Sequence, residues 1–161
     1  MTRIAVIDGQ GGGIGSAVIK KIREACAQDV EVWALGTNAI ATTQMMKARA
    51  NRGASGESAI YHCAHEVDVI VGSISILVAN AMMGEITPSI VQAVGGSRAR
   101  KLLLPITQEA VVIVGTSEEP LPHLVERLVM GHLVPLVIGK ERTGFAPTMR
   151  DSGRQGIACE K

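Results

Sequence analysis

Aromatic side chains are nearly absent from this sequence of 161 residues, which contains one Trp, one Tyr and one Phe. Proteins that bind single-stranded nucleic acid stack bases on aromatic side chains along a positively charged groove. Here the formal net charge is only +1, which also gives no electrostatic attraction to an anionic membrane surface. We therefore expect neither nucleic acid nor a membrane as a partner.

Cysteine is also scarce, because Cys26, Cys63 and Cys159 are odd in number and far apart. This usage argues against a disulfide framework and favours a reducing compartment. The N-terminus enters a strand-like segment without a charged and then apolar leader, and no apolar run has the length of a membrane span. A cytoplasmic location is the resulting expectation.

Glycine is abundant, with 18 copies, and five of them fall between residues 9 and 15. Residues 4–8 are apolar as in a buried strand and end in Asp8, and helical spacing of apolar residues resumes after Gly15. A strand, a glycine turn and a helix in this order leave backbone N–H groups uncovered at the positive end of the helix. A phosphate or pyrophosphate binds there without a side-chain cation. The alternative is a tight turn that needs small residues only for packing.

The remaining chain predicts an α/β domain, a Rossmann-like three-layer sandwich with a mainly parallel sheet. Segments 30–35 and 67–72 have the composition of buried strands, and helical patterns separate them. Segments 101–106 and 111–115 are also strand-like, but the four residues between them are too few for a parallel crossover. These two segments therefore predict an antiparallel hairpin at the edge of the sheet.

One domain is predicted over residues 1–132, with a closing helix at 121–130. Residues 133–138 are expected to add a strand to this sheet or to that of a neighbouring copy. The rest of 133–161 is rich in Gly, Arg and Thr, and is expected to form a flexible tail.

Polar residues follow the predicted strands, and open α/β sheets bind ligands at the carboxyl ends of their strands. Thr37 and Asn38 stand where a Rossmann domain usually carries an acidic residue for the ribose, and they either reach a ribose or cap the next helix. Ser73 and Ser75 are expected to line the opposite wall. NAD or NADP is the candidate cofactor. The candidate binding residues are Asp8, Gly9, Gln10, Gly11, Gly12, Gly13, Ile14, Gly15, Thr37, Asn38, Ser73 and Ser75.

Two carboxylates allow an alternative function, a small enzyme that acts on a phosphorylated or carboxylated metabolite with Asp8 or Glu85 as acid or base. For Asp8 a structural role is preferred, in which it accepts N–H groups of the glycine loop. No nucleophile and base are visible as a pair near it in the sequence. A third alternative is an oligomeric interaction module without a small ligand, whose interface consists of residues 74–83 and 134–138.

A metal site is the one further possibility that the side chains offer. His62, Cys63 and His65 have suitable chemistry, but the sequence contains no second cluster that completes a ligand shell. No metal is therefore expected.

The pattern Gly9-x-x-x-Gly13-Ile14-Gly15 resembles the glycine motif of short-chain dehydrogenases/reductases, whereas the commoner Gly-x-Gly-x-x-Gly pattern fails at Ile14. Catalysis in that family uses a Tyr with a Lys four residues later. Here the single tyrosine is Tyr61, and position 65 is a histidine. The resemblance therefore implies an NAD(P)-like ligand without the family's proton-transfer residues.

Over residues 3–130 the chain also resembles a small uncharacterised family of bacterial proteins classed as a domain of unknown function. The segments that carry this resemblance are 4–15, 35–38, 84–88 and 120–124. The leading hypothesis is a homo-oligomer that binds a nucleotide or dinucleotide through its glycine loop, as a binding or regulatory protein of unknown reaction.

Overall fold

Five parallel strands form the centre of the structure, a computed structural model that describes residues 1–142. They lie in the order β3-β2-β1-β4-β5, and each neighbouring pair is parallel, so all carboxyl ends lie at one edge. The predicted α/β class is confirmed. The strands are β1 (Thr2–Asp8), β2 (Val30–Gly36), β3 (Arg52–Ser55), β4 (Val69–Ser73) and β5 (Arg100–Leu104).

Helices cover both faces of this sheet and give the predicted three layers. Alternation along β1 places Ile4 and Val6 against one helical layer and Ala5 and Ile7 against the other. The central strand is thereby buried on both faces. The first layer contains α1 (Gly13–Cys26) and α2 (Ala39–Lys47), and the second contains α3 (Glu57–Cys63) and α4 (Pro88–Gly96).

The C-terminal helical segment completes the first layer. It consists of α5 (Leu121–Glu126), a π-helical segment (Arg127–Leu133) and α6 (Val134–Arg142), which follow one another without a break. Pro135 has no N–H and its ring crowds the preceding turn, which accounts for the wider winding before it. Residues 133–138 are helical, so the prediction of an extra strand there is wrong. The predicted tail falls mainly on residues 143–161, outside the described residues.

The helix over Leu121–Gly139 has 19 residues and a mean hydropathy of 1.3, which fit a membrane span by length and composition alone. Glu126 and Arg127 interrupt it, so it is not one continuous apolar run. Leu128, Val129 and other buried residues of this helix pack in the same cluster as α1. Core helices share this length and composition, which makes the helix weak support for a membrane.

The predicted antiparallel edge hairpin is absent. Within residues 1–142 β5 pairs only with β4, in parallel register, and residues 111–115 form no strand. Pro105 follows β5 directly and cannot donate to a ladder. Local hydrogen bonds then turn the chain, because the Glu109 N–H donates to the Thr107 hydroxyl at 3.0 Å and the Val111 N–H donates to the Glu109 carbonyl at 2.7 Å. The hairpin prediction is therefore wrong.

Candidate functional site

The glycine loop connects β1 to α1 at the carboxyl edge of the sheet, which is where ligands bind to open α/β sheets. The Asp8 carboxylate, at 5% residue exposure, lies beneath this loop. Its two oxygens accept the N–H groups of Gly9 at 2.8 Å and Gly15 at 2.7 Å. The sequence allows two roles for Asp8, and the geometry corresponds to the structural one, in which Asp8 accepts N–H groups of the glycine loop.

The environment of Asp8 shifts its protonation equilibrium. Burial raises the pKa of the Asp8 carboxyl, and the negative charge of Glu85 acts in the same direction, whereas the N–H groups of Gly15, Gly9 and Ile14 oppose the shift. The carboxylate also lies at the positive end of α1. The chain thus supplies its own anion at the start of α1, and the Gly15 N–H has a partner before any ligand binds.

The loop glycines differ in why the fold needs them. Gly12 has a left-handed φ of 71°, and a Cβ on it would lie 2.7 Å from the carbonyl oxygen of Ala41. A Cβ on Gly15 would collide with the Met45 side chain. At Gly9 a Cβ would lie within 3.0 Å of three other side-chain atoms. Packing or backbone conformation therefore accounts for these glycines.

Gly11 and Gly13 have no such explanation. A Cβ on either residue would meet nothing within 4 Å, and neither has a left-handed φ. Both residues are exposed at the carboxyl edge. Neither packing nor backbone conformation therefore requires glycine at these positions, as is also true of Gly96 and Gly131, and the backbone of Gly11 and Gly13 is open to close approach by another group.

A short segment, here called the strap (residues 80–85), covers the glycine loop. Asn80, Met82 and Met83 have left-handed φ values of 65°, 56° and 57°, and Gly84 follows at 90°. Such values are costly for residues other than glycine and persist only where the surroundings fix them. Residues 74–83, which the third alternative assigns to an interface, form a 3₁₀ turn at Ile74–Leu77 and then lead into this strap.

Glu85 ends the strap and joins it to the glycine loop and to the end of β2. Its Oε2 accepts the Gln10 N–H at 2.7 Å, and its Oε1 accepts a hydrogen bond from Asn38 Nδ2 at 2.7 Å. Asn38 Nδ2 also donates to the Gln10 carbonyl at 3.0 Å, while Asn38 Oδ1 caps α2 by accepting the Ala41 N–H at 2.8 Å. Asn38 therefore caps the helix and also contacts the loop.

Thr37 lies beside Asn38, and its hydroxyl oxygen is buried without a hydrogen-bond partner among the described residues. A Cβ on Gly9 would lie 2.7 Å from this oxygen, 2.7 Å from Met82 Sδ and 2.9 Å from Glu85 Oε2. The strap and Thr37 thus enclose Gly9 from one side.

Ser73 and Ser75 lie at the end of β4 and are both buried. The Ser75 hydroxyl donates to the Thr107 hydroxyl at 3.1 Å, and Glu109 in the same loop accepts the Met82 N–H at 3.0 Å. The loop after β5 therefore supports both the end of β4 and the strap. The sequence offered no signal for Thr107 and Glu109, because neither residue belongs to a recognisable motif.

His62, Cys63 and His65 are the side chains with the chemistry of metal ligands. Within residues 1–142 no group of three or more His, Cys, Asp or Glu side chains is arranged to hold a metal ion. His62 lies on α3 and pairs with Glu66 at 3.2 Å, while His65 contacts the Tyr61 ring edge to face.

Residues 3–135 match the family described as "Domain of unknown function (DUF3842)", and the chain therefore belongs to that family. This confirms the uncharacterised family that the sequence resembles. No curated protein matches the sequence significantly.

Solved structures that are similar to this chain include a dehydrogenase and a decarboxylase. The apo histidine-tagged saccharopine dehydrogenase (L-Glu forming) from Saccharomyces cerevisiae is 13% identical, with a TM-score of 0.44 over 80% of this chain. This chain spans only 25% of that protein's length. A dodecameric FMN-dependent Ubix-like decarboxylase from Escherichia coli O157:H7 is 14% identical, with a TM-score of 0.39 over 97% of this chain and 100% of that one. At these identities the likeness concerns the fold alone.

Replacement of Asp8 by Asn tests the contact beneath the loop. The Asn amide has one acceptor oxygen, so one of the Gly9 and Gly15 N–H groups loses its partner, and we expect a loss of about 1–3 kcal/mol in the free energy of unfolding. The raised pKa means that the native state keeps the Asp8 proton to higher pH than the unfolded chain does. Stability of the parent therefore falls as pH rises from the ordinary aspartate value through the raised one.

Urea unfolding over that pH range is the measurement. Asp8→Asn lacks this component of the pH dependence, so the difference in stability between parent and variant narrows with rising pH. A difference that is constant over the range would contradict the assignment of the raised pKa to Asp8.

Two alanine substitutions separate the structural glycines from the unexplained ones. Gly12→Ala places a Cβ against the Ala41 backbone and forces a left-handed φ, so we expect a loss of about 2 kcal/mol or more in stability. Gly13→Ala meets open space and should change stability by less than about 0.5 kcal/mol. Thermal unfolding of both variants measures their loss of stability relative to the parent. Equal losses for the two variants would show that Gly13 is needed for folding.

Proposed function

We propose that this member of a family of unknown function binds a nucleotide or dinucleotide of the NAD(P) class at the carboxyl edge of its sheet. The observation that carries the proposal is the pair Gly11 and Gly13, which are exposed and whose glycine character no packing contact or left-handed φ explains. The site lies beside the point where the strand order reverses, between β1 and β4.

The backbone donors of the loop divide into two sets. The N–H groups of Gly9, Gln10, Gly12 and Gly15 already donate within the chain. A phosphate or pyrophosphate would therefore bind across the exposed backbone of Gly11 and Gly13, where the absence of a Cβ allows close approach. Of the loop residues that the sequence indicated for binding, Gly11 and Gly13 are therefore the ones that we propose to contact the phosphate.

Glu85 supplies the carboxylate that residues 36–38 lack. It is hydrogen-bonded to Asn38 at the end of β2, where a Rossmann domain places its ribose-binding acid. The two contacts to Gln10 and Asn38 use two of about four acceptor positions of the carboxylate, which leaves capacity for ribose hydroxyls. A 2′-phosphate would meet this negative charge, so we propose NAD in preference to NADP.

The role that we propose is binding or regulation rather than oxidoreduction. NAD would supply hydride transfer, but the described residues contain no Tyr–Lys pair at the site, since Tyr61 lies on α3 beside His65. The enzyme alternative with Asp8 is weakened because Asp8 is buried beneath the loop, whereas Glu85 is partly exposed. Glu85 remains the acidic residue for that alternative.

We further propose a cytoplasmic homo-oligomer. The cytoplasmic location is in keeping with the free cysteines Cys26 and Cys63.

Calorimetric titration with NAD, NADP, FAD, ATP and coenzyme A tests the proposal. We expect NAD to bind the parent, and Gly13→Val to abolish binding because a side chain there occupies the open space beside the loop, where a Cβ meets no atom within 4 Å. Gly95→Ala, near the end of α4, is the matched control, since its Cβ would lie no closer than 3.9 Å to Leu77. No heat with any of the five ligands, or a Gly13→Val variant that binds as the parent does, would overturn the proposal.

Glu85→Gln tests the ribose assignment. The amide keeps the shape of the side chain but removes the charge that accepts ribose hydroxyls, so we expect NAD affinity to fall roughly tenfold. NADP affinity should fall less, because the repulsion of the 2′-phosphate is also removed. Glu24→Gln, on the exposed side of α1, is the control. A parent that binds NAD and NADP equally would be evidence against a ribose-binding Glu85.

A further inference from the structure

The strap has buried ends and an exposed tip. Ala81 and, directly after the strap, Ile86 are fully buried in the cluster that packs against the second helical layer. Between them Met83 is 96% exposed. The Ile86 N–H donates to the Ala81 carbonyl at 3.1 Å, so the segment closes into a small loop of its own. This closure gives the tip a shape, but it does not fix where the tip lies relative to the glycine loop.

Glu109 contacts the tip from outside the glycine loop. It lies in the turn after β5, is half-buried, and accepts the Met82 N–H on its Oε1 at 3.0 Å. A hydrogen bond to a carboxylate is stronger than one between neutral groups. Among residues 1–142, the other hydrogen bonds that join the strap to distant parts of the chain are the ones that Glu85 accepts.

Glu109 is itself held by the end of β4. Ser75 is 4% exposed, and its hydroxyl donates to the Thr107 hydroxyl at 3.1 Å. The Glu109 N–H donates to the same Thr107 oxygen at 3.0 Å. Because β4 lies between β1 and β5 in the sheet, this path connects the strap to the inside of the sheet.

The backbone on both sides of the contact between the strap and the glycine loop is strained. Met82 has a left-handed φ of 56°, and Gln10, in the glycine loop, has one of 49°. Such conformations persist only where the surroundings fix them. The N–H of Met82 is held by Glu109, and the N–H of Gln10 is held by Glu85. Each strained residue therefore depends on one carboxylate from elsewhere in the chain.

We propose that Glu109 is a positioning residue of the nucleotide site. It does not contact the ligand. It fixes Met82, and thereby places the Glu85 carboxylate where its remaining acceptor positions meet the ribose hydroxyls. The effect on affinity rests on the proposed nucleotide binding, whereas the positioning of Glu85 is measurable in the protein without a ligand.

Amide hydrogen exchange of the full chain without nucleotide measures the positioning. Glu109→Ala removes the acceptor of the Met82 N–H, so we expect exchange of that amide to accelerate roughly fivefold or more. The Gln10 amide should accelerate as well, because the Glu85 oxygen that it contacts is no longer fixed. Glu109→Gln keeps an acceptor oxygen and should restore the parental rates.

Two further variants complete the exchange experiment. Thr107→Val removes the hydroxyl that holds Glu109 but keeps the shape of the side chain, and it should give the same pattern with smaller changes. Glu118→Ala, at an exposed carboxylate further along the same segment, is the matched control and should leave the exchange rates unchanged. An unchanged Gln10 rate in Glu109→Ala would overturn the positioning role.

The amides of Gly9 and Gly15 distinguish positioning from a general loss of stability. They donate to Asp8 and not to the strap, so their exchange rates should stay parental in Glu109→Ala. Equal acceleration of these amides and of Gln10 would overturn the proposal, because it would show that Glu109 supports the whole fold and not the strap.

A double-variant cycle with NAD tests the consequence for binding. Glu109→Ala should weaken NAD binding about three- to fivefold, less than Glu85→Gln does. Because Glu109 acts through Glu85, its removal should change affinity by less than about twofold in the Glu85→Gln background. Equal effects in the two backgrounds would overturn the coupling. A parent that does not bind NAD would refute the proposed function, whereas the exchange rates decide the positioning of Glu85 independently.

Discussion

The Asp8 carboxylate is the contact on which the organisation of the carboxyl edge depends. It connects the end of β1 to the Gly9 N–H on one side of the loop and to the Gly15 N–H of α1 on the other. A buried carboxylate is stable only when donors surround it, and the helix N-terminus supplies them. The loop therefore has one closed shape, in which Gly11 and Gly13 are left outside and exposed. The same closure explains why only part of the backbone of the five glycines lacks a hydrogen-bond partner within the described chain.

Glu85 is the second carboxylate of the edge, and it reaches the end of β2 from a distant segment of the chain. Residue 85 reaches the end of β2 because the strap turns back through left-handed backbone at Asn80, Met82 and Met83. The cost of these conformations is offset by the two hydrogen bonds that Glu85 accepts and by the Met82 N–H bond to Glu109. In a Rossmann domain with the acid directly after β2, no such segment is required.

Features that depend on neighbours in the chain were predictable, and features that depend on distant contacts were not. The burial of β1 on both faces follows from its apolar residues, and the helix cap at Asn38 follows from its residue type. The hairpin prediction failed because the apolar pattern of residues 111–115 carries no information about the conformation of the turn that precedes them. Glu109 and Thr107 hold that turn through contacts with Met82 and Ser75, which lie far earlier in the chain. The shape of the strap depends on hydrogen bonds within residues 80–86 and on the distant contacts of Glu85 with Gln10 and Asn38, and the sequence does not reveal the distant contacts.

The loop after β5 connects the end of β4 with the strap. Thr107 accepts a hydrogen bond from the Ser75 hydroxyl, and the Glu109 carboxylate accepts the Met82 N–H. The Glu109 N–H donates to the Thr107 hydroxyl, so one short turn makes both contacts. The position of Glu85 beside the glycine loop therefore depends on the loop after β5 as well as on the hydrogen bonds that Glu85 itself accepts.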